Sequence, residues 1–348
     1  MTTNRANVCG HSTRRGTEMS TGRYPVSVGV VLLSSMMQRV LITGAASWTG
    51  GHLVRHLETR PDLEVSAVDD REPVVEFEAD FQRLSLDRLT LARYVLEVEP
   101  EVVIHLQAVH PTSEHGRSAE AEERILGSLA LFGAIERLDT VRHVIVKSDT
   151  AFYGASPRNP SVLSESTRPQ GTPSRFQRDL TEMERFIVQA TIRHPDIAFT
   201  VLRFAPIFGP RVGNPISRYL TLPVVPTLMG FDPRLQFIHE DDAVSALEHA
   251  LDHPVSGTFN IAGGGQLYLS RILRLGRRIP QPLPGRLFEG ALGGLSRAGI
   301  DVPNHLRGLL KHGRITDTTA MSEIFGFEPR YTCRQTALHA YGYKEETS

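Results

Sequence analysis

A chain of 348 residues with 40% hydrophobic and 22% charged content has the balance of a globular protein and room for one large or two modest cores. The 38 basic and 39 acidic residues leave a formal net charge of −1, which argues against nucleic acid or an anionic membrane as partner. Two cysteines, Cys9 and Cys333, cannot build a disulfide framework, and no Cys/His group has metal-ligand spacing; no metal is expected, and a reducing cytoplasm fits best.

Residues 1–36 read as a disordered extension. Met1 to Arg23 is polar and lacks periodicity, and the apolar run Val26 to Leu33 is too short to span a bilayer. Arg14-Arg15 hints at an export signal, but no small-residue cleavage site separates the run from the first strand. Val40-Leu41-Ile42 is then a buried strand, followed by Thr43-Gly44, a small-residue turn, and a helix with Leu53, Val54 and Leu57 inward, closed by Arg60-Pro61. A strand, a glycine turn and a helix N-terminus in that order make an anion site, because free N–H groups and the helix dipole converge there. Gly44 and Gly50 fit the outer glycines of a dinucleotide turn, whereas Ser47 holds the middle position. Its Cβ would cost about 1 kcal/mol if φ had to be positive there. Trp48 and Thr49 complete the turn as candidate cofactor contacts.

Glu64 to Val68 is a second strand ending at Asp69-Asp70, where a carboxylate can accept hydrogen bonds from an adenosine ribose and would repel the extra phosphate of NADP. The cofactor expected is therefore NAD. Val74 to Ala79 reads as a third strand, with Asp80-Phe81 after it as an adenine rest. Leu84 to Leu96 has helical spacing, and Val102 to Leu106 is a fourth strand. Ser118 to Arg137 is an amphipathic helix with Ile125, Leu129, Phe132 and Ile135 on one face, and Val144-Ile145-Val146 is a fifth strand running into Ser148 to Gly154. Strands and helices alternating at this pitch predict an α/β fold, a doubly wound parallel sheet of Rossmann type.

The glycine turn, Val103-Ile104-His105-Leu106, Ser148 to Gly154, Val201-Leu202-Arg203-Phe204, Phe208-Gly209-Pro210, Phe237 to Asp242, Gly257 to Ile261 and Phe325 to Pro329 follow one another in a familiar order. Over roughly residues 38 to 345 the chain resembles an extended short-chain dehydrogenase/reductase of the NAD-dependent epimerase/dehydratase type, typified by UDP-glucose 4-epimerase, and within it an actinobacterial epimerase-like branch.

The resemblance implies a dinucleotide-binding domain (37–205 with 231–264) and a smaller interleaved C-terminal substrate domain (206–230 with 265–348), whose Leu283 to Arg297 stretch reads as loop-rich. It implies NAD as cofactor, a small-molecule substrate that is a nucleotide sugar, and a homodimer in which Ser118–Arg137 and Phe176–His194 pair, with Phe186 and Ile187 adding apolar area. It also exposes departures. The family's base is a tyrosine with a lysine four residues on; with Glu184 matching an acidic residue of that helix, Phe176 and Leu180 fall at those positions. Tyr153 is the alternative phenol, Ser148 and Thr150 keep hydroxyls where the family binds substrate, and Lys147 ends the fifth strand. Pro206 replaces a substrate-contacting asparagine. Gln107, beside Leu106, is bulkier than the family's alanine and expected to face the cofactor. Two functions follow: an NAD-linked epimerase or dehydratase with an atypical base, or a non-catalytic NAD(H)- or ligand-binding regulatory module.

Overall fold

A computed structural model describes residues 37–84, 88–107 and 118–343. The expected extension at 1–36, Cys9 and the side chain of Ile125 lie outside the described residues.

The chain runs β1 (Gln38–Thr43), α1 (Trp48–Leu57), β2 (Leu63–Asp69), β3 (Asp80–Arg83), α2 (Arg88–Val98), β4 (Val102–His105), α3 (Ser118–Ile135), β5 (His143–Asp149), α4 (Arg175–Arg193) and β6 (Ala198–Phe204). Then come β7 (Ile207–Phe208), α5 (Pro215–Leu220), β8 (Val224–Leu228), β9 (Arg234–Leu235), β10 (Ile238–His239), α6 (Glu240–Asp252) and β11 (Gly257–Ile261). The last part holds β12 (Leu267–Tyr268), α7 (Leu269–Leu275), β13 (Ile279–Leu283), α8 (Gly285–Arg297), α9 (Asn304–His312), α10 (Thr319–Glu323) and α11 (Cys333–Ala340).

Seven strands form one parallel sheet in the order β11-β6-β5-β4-β1-β2-β3. The strands are short apolar runs because both faces are covered. On one face Val40, Ile42, Ile104, Ile145 and Leu202 pack beneath α1 and α6, through Leu53, Val54, Leu57, Ala243 and Leu247. On the other, Leu41, Val103, Val144, Val146 and Val201 meet α2, α3 and α4, through Leu91, Phe132, Met183 and Ile187. Fully burying each such side chain contributes about 1.5–3 kcal/mol. A separate core gathers Phe208, Tyr219, Phe237, Leu273, Phe288, Leu292 and Leu309 from the segments after β6.

Several boundaries differ from the sequence reading. Val74–Ala79 is not a strand; Val74 is largely exposed, and pairing begins at Asp80, opposite Ser66. Helix α2 starts at Arg88 rather than Leu84, whose N–H instead bonds the Asp69 carbonyl. Helix α1 ends at Leu57, before Arg60-Pro61, and Arg60 is drawn into ion pairs with Asp62 and Asp252. Gly285–Arg297 is a helix rather than loop, held by Phe288 and Leu292 turned into the second core. Among the described residues no helix is long and apolar enough to cross a membrane.

Candidate functional site

The chain passes from β1 to β2 on one side of the sheet and returns to β4 on the other, so the carboxyl ends of β1 and β4 form the topological switch point at which doubly wound folds take ligands. Gly44 follows β1 with φ +83°, a conformation that favours glycine. A Cβ on Gly50 would fall on the Gly44 carbonyl oxygen, so this position also requires glycine. Ser47 has φ −70° and ψ 159°, ordinary extended geometry, so the strain expected there is absent. Its hydroxyl caps α1, accepting from the Gly50 N–H at 3.0 Å and donating to the Gly44 carbonyl at 2.9 Å. One N–H that could face an anion is thus held by the chain's own cap. Thr49 is buried in the first turn, and half-buried Trp48 lies against His52 at 4.2 Å and under the Arg211 guanidinium at 5.1 Å.

Asp69 ends β2, fully buried. Its Oδ2 accepts from the Ala46 N–H and the Gln107 Nε2, both at 2.9 Å, and its Oδ1 accepts from the Arg71 N–H at 3.2 Å. Burial pushes its pKa above the ordinary carboxylate value. Gln107 therefore bridges the ends of β2 and β4. Its Cγ lies 2.8 Å from where a Gly44 Cβ would stand, and its Oε1 is buried without a partner among the described residues. Leu106 is part of the core beside it, its N–H bonded to the Thr43 carbonyl at 3.0 Å. Asp80 and Phe81 are not brought to this place: they open β3 opposite Ser66 and Ala67, short of Asp69, and Phe81 packs edge-on against Phe77. The reading of Asp80-Phe81 as following a strand fails because they begin one.

Beyond β4 the carboxyl end of β5 carries a second group. Ser148 donates to Glu184 Oε1 at 2.6 Å, and Glu184 takes the Arg203 Nε at 3.0 and 3.1 Å. Arg203 Nη1 donates to the Tyr153 hydroxyl at 2.7 Å, which donates to Asn260 Oδ1 at 2.7 Å. The guanidinium lies 3.7 Å from the Phe152 ring centroid. This buried chain ties β5, α4, β6 and β11 together. Tyr153 is fully buried, and burial pushes its phenol above its ordinary pKa. Ser148 and Tyr153 thus spend their hydroxyls on the fold, and Thr150 is buried in the 3-10 turn that follows β5.

Phe176 and Leu180, one turn apart on α4, pack with Ala151 and Phe152. His305 of α9 lies on Phe176, ring centroids 4.6 Å apart, and burial lowers its pKa to about 3. Asp149 accepts from the Ala151 N–H at 2.6 Å and faces Arg314 Nη2 at 3.7 Å; Arg314 is buried, its Nε and Nη1 without partners among the described residues. Half-buried Lys147 occupies the same strand end, and desolvation lowers its pKa. His305 and Arg314 were missed from the sequence: they stand far along the chain from β5, and no local pattern marks them. Glu184, Arg203 and Asn260 sat within recognised segments, but nothing in the spacing announced their pairing. Among the described residues no group of three or more His, Cys, Asp or Glu could hold a metal ion.

The parallel sheet, glycine turn and acidic end of β2 define a doubly wound dinucleotide-binding protein. The model of the NAD dependent epimerase/dehydratase family matches residues 40–262, and the chain belongs to that family. It is 37% identical over 307 residues to the uncharacterized protein Rv0501 of Mycobacterium tuberculosis, covering 84% of this chain and 80% of that protein. Among solved structures, UDP-glucose 4-epimerase of Thermus thermophilus complexed with NAD matches with a TM-score of 0.68 at 20% identity, over 88% of this chain and 98% of that one. MoeE5 in complex with UDP-glucuronic acid and NAD matches with a TM-score of 0.68 at 21% identity, over 87% and 98%. At such identities the likeness is one of fold.

Proposed function

We propose that this protein binds NAD and acts as an epimerase- or dehydratase-like enzyme on a nucleotide sugar, with residues 206–230 and 265–348 as the substrate lobe. The observation that carries the reading is the meeting of the Gly44–Gly50 turn with Asp69 at the carboxyl edge of the sheet. The cradle fits a dinucleotide: glycines at two positions where a Cβ would collide or be strained, a helix N-terminus, and a carboxylate for ribose hydroxyls. Gly44, Gly50 and the first turn of α1 would hold the pyrophosphate, and Asp69 the adenosine ribose. Bound NAD supplies a hydride acceptor. Gln107 stands in the way, and its amide must leave Asp69 Oδ2 before a ribose hydroxyl can bond there.

Calorimetric titration with both cofactors tests this. NAD is expected to bind more tightly than NADP, because Asp69 repels a 2′-phosphate, and Asp69→Ala narrows the gap. Gln107→Ala is expected to tighten NAD binding severalfold by opening the cradle. Tighter NADP binding, or no binding of either, would sink the reading.

A second reading rests on Phe176 and Leu180. A phenyl ring and an isobutyl group packed on Ala151 cannot exchange a proton, which favours a binding module without tyrosine-based turnover. For assembly, α3 and α4 are proposed to meet their copies in a homodimer. Phe132 and Ile187 are committed to the sheet core, with Phe186 packed on them, so the apolar area available is Leu126, Val188 and Ile192, with half-buried Leu129. Light scattering at micromolar concentration checks this, and a monomer would refute it.

A further inference from the structure

At the carboxyl end of β5 stands an ammonium that, among the described residues, makes no hydrogen bond or ion pair. Lys147 lies at the carboxyl end of β5, opposite Leu202 of β6 and one residue beyond the last pair of β5 with β4, His105 with Val146. It therefore shares the sheet edge that carries Leu106 and Gln107. Strand alternation places it on the same face as Ile145, which packs under α1 and α6, and as Asp149. Among the described residues its ammonium has no hydrogen-bond or ion-pair partner. Lys and Arg together number 38, yet only Lys147, Lys311 and Lys344 are lysines. Lys311 pairs with Glu289, and Lys344 lies outside the described residues. A chain that uses arginine almost everywhere keeps a lysine at this half-buried strand end. The difference matters chemically, because lysine can lose its proton near neutrality when desolvated and arginine cannot.

We propose that Lys147 is the proton acceptor of this site, taking the role that Phe176 and Leu180 cannot fill. The inference rests on the NAD-linked reading above. In the step assigned to it, the O–H bond of a substrate carbinol breaks and its proton passes to the Lys147 nitrogen. The hydrogen on the carbinol carbon leaves with its electron pair for the nicotinamide, which is reduced, and the carbon–oxygen double bond forms as the carbinol is oxidised. Desolvation favours the neutral amine, and the Asp149 carboxylate opposes it. Asp149 is the charged group that acts on it, and the charged groups of Arg314 and of α6, which packs on this face, are committed elsewhere. Arg314 faces Asp149, Glu240 of α6 holds Arg211, and Asp242 accepts from the Arg330 and Tyr331 N–H groups. On the opposite face Glu184 is bonded to Arg203, and buried His105 of β4 is neutral, its pKa lowered to about 3.

Because the chain has three lysines, the test reads directly. Full-length protein is labelled with ¹³C at the lysine Cε, and the three signals are followed against pH. Lys147→Met assigns its signal; Lys147→Arg does so equally if the methionine variant fails to fold. The expected result is a Lys147 midpoint below those of Lys311 and Lys344, lowered further by Asp149→Asn, with NAD displacing the Lys147 signal alone. A midpoint matching the other two overturns the proposal. So does an unmoved Lys147 signal while calorimetry shows NAD bound, an outcome that leaves the cofactor reading standing. Absence of NAD binding to the unmodified protein overturns both.

Discussion

Replacing Glu184 by alanine should remove about 3–5 kcal/mol of folding stability, a large share of the roughly 5–15 kcal/mol a domain possesses. Both side chains of the pair are buried, 7% exposed for Glu184 and 6% for Arg203, so the variant leaves a guanidinium without a countercharge. It also strips Ser148 of its acceptor. The size comes less from the attraction lost than from the charge left behind. Replacing both partners with apolar residues of similar volume, Glu184→Leu with Arg203→Met, should therefore cost less than Glu184→Ala alone. Ser148→Ala removes one hydrogen bond to a charged group and should cost about 1.5–3 kcal/mol. Urea unfolding at neutral pH measures all three. A loss below about 1 kcal/mol for Glu184→Ala would show that the network does not hold the fold.

That network also shows where the sequence stops being legible. The sheet could be read because each central strand is an apolar run covered on both faces, as in Val102–His105 and His143–Val146. Strand β3 was misplaced because its residues, Asp-Phe-Gln-Arg, are mostly exposed and polar, whereas the Val-rich stretch before it mimics a strand without finding a partner. Helix α8 was hidden by its glycines at 285, 290, 293 and 294, which lower helical propensity, while Phe288 and Leu292 secure it through tertiary packing. In the site, Gly44, Gly50 and Asp69 follow from local rules, since a turn and a strand end are local. The contacts that decide what the other candidates do are long-range. Tyr153 bonds Asn260, Gln107 bonds Asp69, and Arg314 faces Asp149. Nothing within a few residues of Tyr153 or Ser148 signals that their hydroxyls are occupied.

If Phe176 and Leu180 hold the places of the family's tyrosine and lysine, Phe176→Tyr with Leu180→Lys, introduced into Lys147→Met so that no other acceptor is present, should raise nucleotide-sugar turnover by about 10²-fold or more, since a positioned acid–base group contributes roughly 10²–10⁴-fold. The two are one turn apart on α4, so their replacements would lie on one face. Position 176 is 9% exposed and position 180 is 2% exposed. The new phenol can therefore reach the site edge, whereas the new ammonium would be buried against Ala151 and Phe152. An isolated buried cation is costly, so Leu180→Lys alone should lower the melting temperature and leave turnover unchanged. The added phenol gives that cation a group to act on, and Phe176→Tyr alone should give a smaller gain than the pair. Exchange at the sugar carbons, followed by NMR across a panel of nucleotide sugars, provides the comparison. Equal rates with and without the pair in the Lys147→Met background, with NAD bound to both, would mean that these positions are not where the proton is taken. Brisk turnover by the unmodified protein, lost in Lys147→Arg and kept in Tyr153→Phe, would place the acceptor on β5. The reverse pattern would return it to the tyrosine.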